Sequence, residues 1–122
     1  LQYIHIHKTG ALIRASCLIG ARLGGGDEEQ IKKLDRYGKT IGLAFQITDD
    51  ILDVVGDSKL LGKSTGQDKQ HAKSTYPALM GLGQAREEAA GLVTEAIESL
   101  AGFSAKADPL RALAHYITDR TH

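Results

Sequence analysis

Apolar residues recur among small ones from Tyr3 to about Leu23, with Leu12, Ile13, Leu18 and Ile19, and the run stops at Gly24, Gly25 and Gly26. Consecutive glycines of this kind terminate a helix. Asp27 then reads as an N-cap, with Glu28 and Glu29 in the first turn, where the helix dipole favours them, and Gln30 at the capping-box position. From Glu28 the positions Ile31, Leu34, Ile41, Phe45 and Leu52, with Ile47, Ile51 and Val55, keep helical spacing as far as Val55. At 1.5 Å per residue that is about 42 Å, which predicts a helix through the centre of a larger bundle. The pattern is lost from Gly56 to Thr75, a stretch long enough to suggest a functional loop. Pro77, behind Ser74 and Thr75, restarts a helix expected to pass through Leu79, Met80 and Leu82. It should continue as Ala85 to Ala101 with Ala89, Leu92, Val93, Ala96, Ile97 and Leu100 on one side. Asp108 before Pro109 repeats the cap-and-start signal for a last helix to about Arg120.

Composition agrees with an all-α class: two prolines, no tryptophan, and abundant Ala, Leu, Lys, Glu and Gln. A chain of 122 residues is one domain in length and can bury a core without staples. Fifteen Lys plus Arg balance fifteen Asp plus Glu, which removes the electrostatic argument for a nucleic-acid partner. The single cysteine, Cys17, excludes a disulfide framework and fits a reducing, cytoplasmic setting. No apolar run approaches the ~20 residues that cross a bilayer, so a soluble protein without membrane insertion is expected. The chain opens at Leu1 inside a helical pattern, as a piece of a longer protein would.

The sharpest chemical feature is FQITDDILD, in which Gln46, Asp49, Asp50 and Asp53 are linked by i+3 and i+4 steps. On a helix this puts one amide and three carboxylates on one patch, within its last turns. Negative charge there opposes the macrodipole by ~0.3–1 kcal/mol per group, so a nearby cation is expected. Hard oxygen donors without His or Cys point to Mg2+, which takes one or two carboxylates and completes its octahedron with water and phosphate. A solvated acidic face is the alternative, against which the surrounding Phe45, Ile47, Ile51 and Leu52 argue.

Three lysines stand beside glycines or hydroxyls: Lys8 before Thr9 and Gly10, Lys63 between Gly62 and Ser64, and Lys73 before Ser74 and Thr75. Each is an ordinary surface residue taken singly; together with the acidic patch they suit the oxygens of a magnesium-borne diphosphate. Other readings fail on spacing. A P-loop ending in Gly62, Lys63 and Ser64 needs a glycine at position 57, which is Asp57. His5 and His7 point apart on a helix, and the aspartates do not alternate as an EF-hand loop requires. Cys17 has no partner in sequence for redox or nucleophilic work and reads as a small core residue.

The segments IHIHKTGALIRA, GLAFQITDDILDVVGD, LGKSTGQD and AKSTYPAL resemble, in order and spacing, the carboxyl-terminal half of bacterial trans-isoprenyl diphosphate synthases, most like farnesyl diphosphate synthase. The likeness covers essentially the whole chain. It implies an all-α bundle of the isoprenoid synthase type, usually a homodimer, that joins isopentenyl diphosphate to an allylic diphosphate (dimethylallyl or geranyl) with loss of pyrophosphate. Residue by residue, it implies that Asp49, Asp50 and Asp53 form the second aspartate-rich motif, with Asp49 the direct ligand of one Mg2+. Lys8, Lys63 and Lys73 would face the diphosphate. Thr9 and Gln46 would turn oxygen dipoles toward the allylic cation, and Phe45 would lie beside the isoprenoid tail.

The family's first aspartate-rich motif and its isopentenyl diphosphate site belong to the amino-terminal half, and no second Asp-Asp-Xaa-Xaa-Asp occurs outside residues 49–53. Residues 1–122 are therefore expected to form the carboxyl-terminal part of a synthase, carrying half an active site and inactive alone. The missing helices should leave the faces around Phe45 and Leu52 uncovered, favouring dimers or aggregates. A terpene cyclase of the same architecture and a non-catalytic helical subunit of a two-chain synthase are the competing readings.

Overall fold

The computed structural model describes residues 2–59 and 76–121. Among them the order is α1 (Gln2–Leu23), α2 (Glu28–Lys59), α3 (Tyr76–Met80), α4 (Leu82–Ser99), a 3-10 turn (Ala105–Ala107) and α5 (Asp108–Asp119), with no strand.

The turn between α1 and α2 follows directly from its residues. Gly25 takes φ 76°, a left-handed value that glycine adopts without steric cost. The amide of Gly26 then donates to Ala21 O at 2.9 Å and that of Gly25 to Arg22 O at 3.1 Å, which closes a Schellman motif. Asp27 Oδ1 accepts from the Gln30 amide at 2.8 Å while the Asp27 amide donates to Gln30 Oε1 at 3.0 Å. This is the complete capping box expected from the sequence; such a cap contributes about 1 kcal/mol.

α2 is the axis of the fold. Its buried positions Tyr37, Ile41 and Ala44 meet Val93, Ala96 and Leu100 of α4 and Ala114 and Ile117 of α5, while Ile47 and Ile51 meet Ala85 and Ala89. Each large apolar side chain buried this way contributes roughly 1.5–3 kcal/mol relative to exposure. The pairing fixes direction: α4 runs antiparallel to α2, and α5 runs parallel to it. The Tyr37 hydroxyl donates to Leu110 O at 2.7 Å and sets the register of α5; burial pushes its phenol pKa well above the ordinary range. Arg111 tethers the start of α5 to the end of α4, donating to Leu100 O at 2.8 Å and, in the connecting turn, to Phe103 O at 2.7 Å.

Several expectations need correction. α2 continues four residues past Val55, to Lys59. The helix after Pro77 does not run unbroken: Gly81 at φ 88° separates α3 from α4, which ends at Ser99. Asp108 is not the cap of α5. Ser104 caps the 3-10 turn instead, through the Lys106 amide at 3.3 Å, and the Asp108 carboxylate inside the helix accepts from Arg111 at 2.7 Å. Phe45 is not left uncovered, since it packs against the main core cluster. Exposed large apolar residues lie at Leu12, Ile19 and Leu23 on α1, at Leu43 on α2, and at Leu79, Leu113 and Tyr116.

Candidate functional site

Asp35, Gly38, Gly42, Gln46, Asp49 and Asp53 follow i+3 and i+4 steps along α2 and so share one stripe. The first four lie against α1. Arg14 holds Asp35 with Nε to Oδ1 at 2.6 Å and Nη2 to Oδ2 at 3.0 Å, and this bidentate contact keeps the carboxyl below the usual Asp range. A Cβ added to Gly38 would fall 3.0 Å from Cys17 Sγ, so glycine permits the close crossing. Cys17 is half-buried; burial, reinforced by the Asp35 charge, pushes its thiol up, consistent with a packing role.

Near the amino end of α1 the same stripe reaches the candidate chemistry. A Cβ at Gly10 would sit 2.9 Å from Gln46 Nε2, which places the Gln46 amide directly against the α1 backbone. Lys8 and Thr9, both exposed, lie on the turn just before that contact. Gly10, Ala11, Arg14, Lys39, Leu43 and Gln46 line a groove of about 370 Å³ along this crossing.

Past Gln46 the stripe carries the aspartates, which occupy three environments. Asp49 is 48 % exposed, Asp53 is exposed, and Asp50 is only 4 % exposed. The single surface patch expected from spacing is thus corrected for Asp50, which is buried: at about 100° per residue it sits at the edge of the stripe nearest Ile47 and Ile51. Among the described residues, no group of three His, Cys, Asp or Glu side chains converges on a metal position. The donor set still fits magnesium of the kind that takes one or two carboxylates and fills its remaining positions with water and phosphate. Asp49 and Asp53 are the residues exposed enough to hold it.

A cation that the sequence reading does not name, Arg120 at the end of α5, lies beside this motif. Its Nη2 donates to Thr48 Oγ1 at 2.7 Å and to Asp49 Oδ1 at 3.2 Å, and its guanidinium carbon lies 4.7 Å from the centre of the Phe45 ring. The Thr48 hydroxyl passes its own hydrogen to Phe45 O at 3.0 Å. Arg120 and Thr48 were not identifiable as site residues from the sequence, since 71 positions separate Arg120 from Asp49 and only the parallel register of α5 joins them. The requirement for an offsetting cation was the available signal. One face of Phe45 is occupied by this guanidinium, which narrows what that ring can offer a ligand. Lys63 and Lys73 lie outside the described residues.

The polyprenyl synthetase family model matches residues 1–114. The chain is 54 % identical over 121 residues to geranylgeranyl pyrophosphate synthase 11, chloroplastic, of Arabidopsis thaliana, covering 98 % of this chain and 34 % of that protein. It is 48 % identical over 122 residues to dimethylallyltranstransferase of Fischerella ambigua, covering 100 % of this chain and 35 % of the relative. Among solved structures it resembles a protein of Marinomonas sp. MED121 provisionally assigned as a farnesyl-diphosphate synthase, with TM-score 0.74 and 42 % identity over 96 % of this chain and 38 % of that one. It also resembles a decaprenyl diphosphate synthase from Rhodobacter capsulatus, with TM-score 0.71 and 28 % identity over 94 % of this chain and 47 % of that one. The chain spans about a third of the length of these curated relatives. With helices in the arrangement of these synthases and a family match from its first residue into α5, the chain belongs to the polyprenyl synthetase family.

Proposed function

We propose that residues 1–122 are the carboxyl-terminal part of a magnesium-dependent trans-prenyltransferase that condenses isopentenyl diphosphate with an allylic diphosphate. The family match over residues 1–114 carries this reading. In the reaction the allylic C–O bond breaks, pyrophosphate leaves with the electron pair, the isopentenyl double bond attacks the cation, and loss of a proton restores an alkene. Magnesium, when bound, supplies Lewis-acid stabilisation of the departing diphosphate.

The chain's own residues do the rest of the work on this side of the cavity. Asp49 and Asp53 would hold the metal that carries the diphosphate, with the buried Asp50 beside them as the third carboxylate of the motif. Lys8, with Lys63 and Lys73, takes the diphosphate oxygens, where positive charge is worth more as the leaving group develops negative charge. Gln46 and Thr9 turn oxygen dipoles toward the allylic cation, the Gln46 amide lying close against Gly10. Phe45 offers the cation or tail its edge or its remaining face, one face being covered by Arg120.

The resemblance in motif spacing favours a farnesyl product. The relatives of Arabidopsis favour a second reading, a geranylgeranyl product, because their names state that chain length at 54 % identity. Residues that set product length are expected in the amino-terminal half in either case. The reading includes a homodimer in a reducing compartment, the cytoplasm on cysteine usage; no helix among the described residues is long and apolar enough to cross a membrane.

Steady-state assay of the purified 122-residue chain with dimethylallyl or geranyl diphosphate, isopentenyl diphosphate and magnesium tests the half-site claim. No turnover is expected, whereas the full-length protein should turn over; clear product from the short chain would sink the claim.

A further inference from the structure

We infer that the outer face of α1 is an internal seam, covered in the full-length protein by a helix of its amino-terminal part. The inference rests on the reading of residues 1–122 as a carboxyl-terminal part and adds where the remainder docks.

α1 packs against α2 and turns Ile13, Cys17 and the buried Ala21 inward. At about 100° per residue, Leu12, Ser16, Ile19 and Leu23 fall within an arc of about 60° on the side turned away from α2. Their steps of four, three and four residues are those of a helix–helix seam. The three large side chains, Leu12, Ile19 and Leu23, are 67, 57 and 85 % exposed. Exposed apolar residues scattered singly need no explanation; three on one stripe of one helix do.

The character of the seam says what covers it. Residues 15–21 carry no charge on any face of α1, whereas the exposed face of α4 carries Glu87, Glu88 and Glu98. A helix apolar all round belongs between layers and not at a surface. Ser16 suits the same place, because its hydroxyl donates to Leu12 O at 2.8 Å and covering the seam strands no buried donor. An interface between separate molecules keeps a polar rim, and these two turns have none, so the cover is a permanent part of the same polypeptide. Length supplies it: the chain spans 34 and 35 % of two relatives, which leaves the larger part of a full-length protein to present a helix with a matching apolar stripe.

The test is made on the full-length protein. A benzophenone amino acid in place of Ile19, irradiated and mapped by mass spectrometry, should link to a peptide that precedes residue 1 in the same molecule, so that the product runs as a monomer on a denaturing gel. Leu12 takes the probe if the first variant does not fold. Ile19→Gln should lower the midpoint of urea denaturation, while Glu88→Gln leaves it near the wild-type value. Links between two copies of the chain, or no protein link in a folded protein, overturn the inference, as does a midpoint for Ile19→Gln no lower than that of Glu88→Gln. Turnover of the wild-type protein with isopentenyl and allylic diphosphates reads the functional claim separately. Product without the link removes the seam alone, and the link without product supports the seam and removes the proposed function.

Discussion

Two arginine–aspartate pairs lie on the same stripe of α2 and are built differently. Arg14 grips Asp35 through two nitrogens, at 2.6 and 3.0 Å, with the arginine 48 % exposed and the aspartate 28 %. Arg120 reaches Asp49 through one nitrogen at 3.2 Å, with the exposure reversed: the arginine is 20 % exposed and the aspartate 48 %. In the first pair both carboxylate oxygens are used by one guanidinium, so the contact is a clasp between α1 and α2. In the second the arginine is anchored by Thr48 and Phe45, and the carboxylate is the member that faces outward. Charge pairing alone therefore does not tell structure from function; which partner is held by third parties does.

The comparison breaks most sharply on activity. In the full-length protein Asp49→Ala should lower kcat by roughly 10²–10³-fold, the scale of losing one preorganised electrostatic group, while Asp35→Ala leaves turnover unchanged. Steady-state kinetics on the two purified variants decides it, and similar losses would erase the distinction. The seat of α5 comes next. Tyr37→Phe leaves Leu110 O without its donor and should cost about 1–3 kcal/mol, read as a lower midpoint in urea denaturation.

Smaller effects probe the α1 side. Gly10→Ala puts a methyl 2.9 Å from Gln46 Nε2 and should lower kcat several-fold while KM for the allylic substrate stays near its original value. Gly20→Ala, with nothing within 4 Å of the added carbon, is the control and should not slow turnover. The least effect belongs to the clasp itself. An exposed pair of this kind is screened by solvent and contributes little. Because Arg14 lowers the folded-state pKa of Asp35, that contribution is present above the ordinary Asp value of ~3.9 and is lost as pH falls through the depressed one. Wild type and Asp35→Asn should therefore differ in denaturation midpoint at neutral pH and converge on acidification.

Local rules carried the sequence reading furthest. The three glycines, Asp27 and Gln30 specify a helix end and a helix start through backbone geometry and reciprocal hydrogen bonds spanning three residues, and the structure contains both as read. The i+3 and i+4 spacing of Gln46, Asp49, Asp50 and Asp53 likewise placed them on one side of one helix. Spacing could not show that Asp50 lies on the covered edge of that arc, because coverage depends on which helices pack against α2. The sequence does not mark Gly81 as a break, since a lone glycine in a helical pattern is often tolerated; only its φ of 88° reveals it. Arg120 was the largest omission. The need for a cation was legible from the acidic cluster, but its identity depended on the parallel register set by Tyr37 and Leu110.

The most direct test of the account is calorimetric binding of a bisphosphonate to the full-length protein, with and without magnesium, in wild type and in Asp49→Ala. The account predicts binding that requires magnesium in the wild type and is lost in the variant while its thermal midpoint stays unchanged. Magnesium-dependent binding of equal strength in the two proteins would contradict it.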